Sequence, residues 1–206
     1  MSTLLVIAKA PVPGRVKTRL TTQFTPQQAA DLARAALEDT LAAVLATPAR
    51  RRVLVLDGQP GPWIPAGIEV VAQCAGSLDV RLAAAFALAD GPALLIGMDT
   101  PQVTPGLLTL GLDFAEADAW FGPADDGGFW ALGLAQPDPA LLLGVPMSVA
   151  HTGEVQRQRL TGAGLALHDL PELCDVDTPA DARRVAAAAP WTRFAALHTG
   201  LCAVSR

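Results

Sequence analysis

"PALLIGMDTPQVTPGLLTL", residues 92–110, holds one complete strand-to-helix unit. Its first part is a compact apolar run with no polar alternation, as in a strand covered on both faces. The run delivers a carboxylate, Asp99, to its end, followed by Thr100 and Pro101. Thr104 then suits a helix N-cap and Pro105 the first helical position, so "TPGLLTLGLDFAEA", residues 104–117, reads as a helix. Reading outward, the same unit recurs. Upstream lie the strands "TLLVIAKA" (3–10), "RRVLVLD" (51–57) and "IEVVAQ" (68–73). Between them are helices over 25–47, with Thr25 and Pro26 at its start, and over 77–90, with Ser77 as a candidate cap. Downstream, "DAWFGPA" (118–124) and "FWALGL" (129–134) read as strands flanking Asp125-Asp126-Gly127-Gly128. A helix over 151–164, a strand over 165–170 and a helix opened by Thr178-Pro179 follow, and the tail 190–206 has the pattern of a last helix. Strands alternating with helices imply a mainly parallel α/β sheet with right-handed crossovers. The length fits one domain over residues 1–206.

Composition narrows the classes of function. Hydrophobic residues make up 51% and charged residues 17%, which suits a folded globular chain rather than a disordered one. The formal charge is -5, so nucleic acid and anionic membranes are not attracted in general, and any phosphate site must be local. No apolar stretch reaches the roughly 18 residues that a membrane span needs. The apolar start lacks a basic lead segment and a small-residue cleavage site, so it reads as a strand and the expected location is cytoplasmic. Cys74, Cys174 and Cys202 are far apart with no CxxC pair, so reduced and mostly buried thiols are expected. Nothing in the pattern sets the oligomeric state, and a homodimer stays open.

In open α/β sheets, ligands bind beyond the carboxyl ends of the strands. After the first strand comes "AKAPVPGRVKTRL", with Lys9, Arg15, Lys17 and Arg19 within eleven residues and Pro11, Pro13 and Gly14 shaping a loop. A rigid basic cluster at a strand end suits a nucleotide's phosphates, and a solvated basic turn explains the same residues. It is neither a Walker A loop nor a GxGxxG fingerprint. Asp99 either caps the next turn or holds a hard divalent cation whose shell the substrate's phosphates complete. Asp125 and Asp126 cannot both be buried and ionised without a partner, because like charges raise each other's pKa. Their glycines allow close approach to a ligand, or a plain hairpin turn. In "DVDTPAD", Asp175 and Asp177 alternate and share a face on an extended segment, whereas Asp177 or Thr178 as a helix cap is the simpler use. One basic and three acidic segments, all at strand ends, favour a common site over four coincidences.

Together, "AKAPVPGRVKTRL", "IGMDTP", "GPADDGGFWALGL" and "DVDTPAD" resemble a bacterial family of predicted glycosyltransferases of the GT-A fold, once catalogued only as a domain of unknown function (DUF2064) and associated with radical-SAM and selenodomain proteins. The likeness runs from about Leu4 to Val185, and "QCAGSLDVRLAAAF" is similar to the family's middle motif. "KTRL" and "DVDTP" also resemble phospholactate guanylyltransferase, and the layout is more loosely similar to molybdopterin nucleotidyltransferases. The resemblance implies a three-layer α/β/α sandwich like that of nucleotide-diphospho-sugar transferases. It implies that Lys9, Pro13, Gly14, Arg15, Lys17 and Arg19, with Gln73 and Arg81, bind the nucleotide. It implies Mg²⁺ or Mn²⁺ on Asp99 and Asp177, and Asp125 or Asp126 as the catalytic carboxylate. Gly127, Gly128 and Trp130 would face the acceptor. Three features depart from the family pattern: Met98 replaces a serine, Phe129 a tyrosine, and "PMSVAHTG" (146–153) a Trp-Ser-Thr segment near the acceptor.

The function expected is a metal-dependent transferase that uses a nucleotide or nucleotide-sugar donor and a small-molecule acceptor of unknown kind. Sugar transfer leads, nucleotidyl transfer with release of pyrophosphate is the alternative, and a non-catalytic nucleotide-binding protein is the second alternative. A Ser148–His151 hydrolase lacks the GxSxG elbow that would expose its nucleophile.

Overall fold

β1 (Thr3–Lys9) buries Leu4, Val6 and Ala8 on one face and Leu5 on the other, which is why its sequence shows no polar alternation. The computed structural model describes residues 2–204. After β1 come α1 (Pro26–Ala46), β2 (Arg51–Asp57), β3 (Glu69–Ala72), α2 (Leu78–Phe86), β4 (Ala93–Ile96) and α3 (Pro105–Leu110). Then follow β5 (Ala119–Pro123), β6 (Phe129–Leu134), α4 (Thr152–Gly162), β7 (Leu167–Asp169), α5 (Pro179–Ala188) and α6 (Arg193–Val204). The strands form one seven-stranded sheet in the order β3-β2-β1-β4-β6-β5-β7. Only β6 runs antiparallel to its neighbours; every other pairing is parallel. The carboxyl ends of β1, β4 and β5 and the amino end of β6 therefore share one edge.

Two layers of helix cover the sheet. Ala33, Leu37, Leu41 and Val44 of α1 and Leu108 of α3 pack on the face that carries Leu4 and Val6. Leu82 and Phe86 of α2 and Leu160 of α4 pack on the face that carries Leu5 and Phe121. A third cluster joins α1, α5 and α6 through Leu32, Val185 and Phe194, and it takes in Leu20 and Val176 from the loops at the strand ends. This is the three-layer α/β/α arrangement with a mainly parallel sheet.

The caps follow the sequence closely. Thr25 and Thr178 each close a capping box, with Gln28 and Asp181, and the Thr104 hydroxyl accepts from the Leu107 N–H. Ser77 does occupy the N-cap of α2, but its hydroxyl bonds the Asp79 carboxylate instead of the backbone. The helix expected over 104–117 stops at Leu110. Gly111 ends it, where a Cβ would stand 2.9 Å from the Leu94 side chain; close packing on β4 overrides the helical spacing there. Among the cysteines, all free, Cys74 is exposed rather than buried, and Cys174 and Cys202 are part-buried. No described helix is long and apolar enough to cross a membrane.

Candidate active site

The loop after β1 is shaped from within. Pro11 and Pro13 restrict it, Gly14 turns it with φ 74°, and the Arg15 N–H bonds the Val12 carbonyl at 3.0 Å. Val16 and Leu20 are buried and pin the loop to the body. That leaves Arg15, Lys17, Thr18 and Arg19, with Lys9 from the strand end, on a cleft of about 650 Å³. Pro13 and Gly14 do not line the cleft; their part is to shape the loop. Lys17 itself has left-handed backbone, φ 48° and ψ 41°, and starts the short 3₁₀ turn Thr18–Thr22.

Gln73 and Arg81 line the same cleft and are held rigidly. The Gln73 amide donates to the Ala8 carbonyl at 2.8 Å and the Val55 carbonyl at 3.1 Å. Arg81 donates to the Gln73 side-chain oxygen and to Asp57, both at 3.2 Å, and to the Gly76 carbonyl at 3.0 Å.

Asp99 leaves β4 into the centre of this edge. The Lys17 ammonium lies 2.7 Å from its Oδ2. Its Oδ1 is buried and has no hydrogen-bond partner among the described residues, and the neighbouring Thr100 hydroxyl is in the same position. The Asp99 carbonyl accepts from the Val176 N–H at 2.9 Å, which ties the β4 end to the segment before α5. Asp175 and Asp177 flank that point and both line the cleft. Asp177 pairs with Arg19. Thr178, not Asp177, caps α5, so the Asp177 carboxylate is not used by the helix. Burial, then the charges of Asp99 and Asp126, push the Asp175 carboxyl up to about 7, against the pull of Lys17.

Asp125 and Asp126 resolve their repulsion by diverging. Asp125 turns away from the cleft to Arg184, at 2.8 Å, which also holds Asp181 at 2.9 Å. Asp126 lines the cleft and accepts from the Gly128 N–H at 2.8 Å. The paired assignment therefore narrows: only Asp126 faces the cleft. Gly128 lines the cleft as well, but Gly127 serves packing instead, since a Cβ there would stand 2.0 Å from the Ala150 carbonyl oxygen. Its own carbonyl accepts from the Gly153 N–H at 2.8 Å, which seats the 146–153 segment on the turn and brings Met147 to Ala150 into the cleft wall. Trp130 reaches the wall but is 2% exposed, with its indole N–H on the Pro171 carbonyl, so its ring belongs mainly to the core. His151 is exposed and absent from the lining that includes Ser148.

Sequence reasoning did not place Asp175 in the site, although its alternation with Asp177 was the available signal. The carboxylates suit a hard divalent cation, and Asp99 Oδ1, buried and without a hydrogen-bond partner among the described residues, is an unused oxygen ligand. No cluster of three or more His, Cys, Asp or Glu side chains that could hold a metal occurs among the described residues. A cation here would be held by one or two carboxylates and completed by phosphate oxygens and water, the usual arrangement for Mg²⁺.

Solved structures share the fold. A candidate nucleotide-diphospho-sugar transferase from Desulfovibrio desulfuricans G20 is 25% identical, with TM-score 0.89 over 98% of this chain and 95% of that one. The 2-C-methyl-D-erythritol 4-phosphate cytidylyltransferase of Thermus thermophilus is 17% identical, with TM-score 0.56 over 92% and 100%. The Rv0371C protein of Mycobacterium tuberculosis H37Rv, solved as a complex with manganese, is 23% identical, with TM-score 0.51 over 89% and 97%. No curated protein sequence matches significantly. The family model described as "Uncharacterized protein conserved in bacteria (DUF2064)" matches residues 29–149, and the chain belongs to that family.

Proposed function

We propose that the chain is a divalent-metal-dependent transferase acting on a nucleotide-activated donor, with transfer of a sugar from a nucleoside diphosphate sugar as the leading chemistry. One observation carries it: at the carboxyl edge of the sheet a basic loop faces carboxylates across a single cleft. Lys9, Arg15, Lys17 and Arg19 are the groups to hold a diphosphate, and the fixed Gln73–Arg81 pair is suited to the nucleoside end. Asp99 and Asp177 are the residues to hold Mg²⁺ or Mn²⁺. When bound, such an ion supplies charge neutralisation on the diphosphate leaving group. Asp126, which lines the cleft, is the carboxylate to accept the proton of an incoming hydroxyl, and Met147 to Ala150 in the same lining are the residues to meet an acceptor.

The likeness to a candidate nucleotide-diphospho-sugar transferase over nearly the full chain supports sugar transfer. The "KTRL" and "DVDTP" segments, similar to those of phospholactate guanylyltransferase, support nucleotidyl transfer as the second reading. Calorimetric titration with UDP, GDP, GTP and CTP, with and without Mn²⁺, tests the shared part. Asp99→Asn should weaken metal-dependent binding roughly tenfold or more, because a charge-assisted contact is worth about 1.5–3 kcal/mol. Product analysis then separates the chemistries: free nucleoside diphosphate from an NDP-sugar, or pyrophosphate from an NTP. Folded protein that binds none of these nucleotides would defeat the proposal.

A further inference from the structure

We propose that Lys17 and Arg19 act as built-in counter-ions of Asp99 and Asp177 in the ligand-free cleft, and that a metal-chelated diphosphate enters by partner exchange on both ion pairs at once. This rests on reading the cleft as a nucleotide site. Two alternate residues of one loop reach two carboxylates from different strand-end segments, Lys17 to Asp99 and Arg19 to Asp177. Those segments are tied together by the Val176 N–H on the Asp99 carbonyl and by the Gln102 amide on the Cys174 carbonyl at 2.7 Å. The two carboxylates are thus held as one fixed unit, whereas the cations sit on long side chains of a loop.

The pairing is incomplete in a directed way. The Lys17 side chain is 9% exposed and its backbone is left-handed, a conformation that costs a non-glycine residue about 1 kcal/mol or more. Yet it satisfies only one oxygen of Asp99; the other is buried without a partner among the described residues. An ammonium is one charge with a short reach, so the buried second oxygen of Asp99 is left without a counter-charge of its own. Lys9 and Arg15, also on the cleft, form no ion pair among the described residues, so they are available to draw in an anion first.

The consequence is energetic. A cation taken by Asp99 and Asp177 alone would displace Lys17 and Arg19 and leave them unpaired. A diphosphate taken by Lys17 and Arg19 alone would leave two carboxylates, both part-buried, facing a polyanion. Only the chelate replaces every partner it removes. Metal and diphosphate must then bind with positive coupling, and a coupling of about 5- to 150-fold is the ordinary range for two linked sites.

The test is calorimetry with Mn²⁺ alone, with UDP, GTP and CTP each in EDTA, and with each nucleotide plus Mn²⁺, allowing for chelation in solution. Wild type should show coupling of at least about fivefold. Arg19→Met should tighten Mn²⁺ binding in the absence of nucleotide several-fold and weaken metal-free nucleotide binding. Asp177→Asn should do the reverse, tightening nucleotide binding in EDTA. Arg19 is exposed and Asp177 part-exposed at the cleft surface, so both variants should fold, and circular dichroism checks this. A residue that only contacts phosphate would leave binding of Mn²⁺ alone unmoved. Unchanged or weaker Mn²⁺ binding in Arg19→Met, or a coupling factor of one in wild type, overturns the exchange while the nucleotide site stands. No nucleotide binding with or without Mn²⁺ overturns both.

Discussion

Asp175 is the residue whose chemistry the fold changes most. Its carboxyl ordinarily titrates near 3.8; in the cleft it rises to about 7, through burial and then through Asp99 and Asp126, with Lys17 opposing. The folded state therefore holds this proton more tightly than the unfolded chain does. The resulting stability is fully present below about pH 4 and is lost as the pH rises through about 7. Asp175→Asn should remove that slope. At pH 8 and without ligand the variant should be more stable by about 2 kcal/mol, roughly half the full linkage value because the group is part-exposed. Urea unfolding between pH 4 and 8 checks it; parallel stability curves for the two proteins would contradict it. Why this carboxylate was hard to single out beforehand is clear from its neighbours. The two aspartates of "DVD" look alike in sequence, and they differ only in their neighbours in space: Asp175 lies among Asp99, Asp126 and Lys17, whereas Asp177 pairs with Arg19.

At the scale of elements, the β5–β6 hairpin does two jobs with one turn. Its carboxylates part, one to Arg184 and one to the cleft, and its first glycine receives the 146–153 segment. Gly127 has φ 88°, and a Cβ would collide with the Ala150 carbonyl. Gly127→Ala should cost about 2–4 kcal/mol and detach that segment from the cleft wall. Gly14→Ala has φ 74° but open space, so it should cost about 1 kcal/mol. Thermal unfolding should place the Gly127 variant several degrees below the Gly14 variant, since 1 kcal/mol is worth about 2–4 °C at this size. Equal melting points would mean the contact is not maintained. The elements themselves were largely legible, because buried runs such as "ALLI" and caps such as Thr104 and Thr178 act locally. Strand direction was not: nothing within "FWALGL" marks β6 as the antiparallel strand, although the DDGG turn allowed a hairpin. The end of α3 was hidden too, because Gly111 is set by packing on Leu94.

Over the whole molecule, six strands running one way deliver Lys9, Asp99 and the β5–β6 turn to one edge, and the Val176 N–H on the Asp99 carbonyl ties the segment that carries Asp177 to the same place. Alternation of strands and helices implied that edge. The pairing of particular cations with particular carboxylates was not implied, because it depends on side-chain reach between segments distant in sequence. On the proposed function, this edge binds a nucleotide and a divalent cation together. A crystal structure grown with Mn²⁺ and the tightest-binding nucleotide tests it most directly, read by manganese anomalous scattering. The expected map has a manganese peak bonded to Asp99, with the nucleotide's phosphates on Lys17 and Arg19. Nucleotide bound elsewhere, or a manganese peak remote from Asp99 at full occupancy, would contradict it.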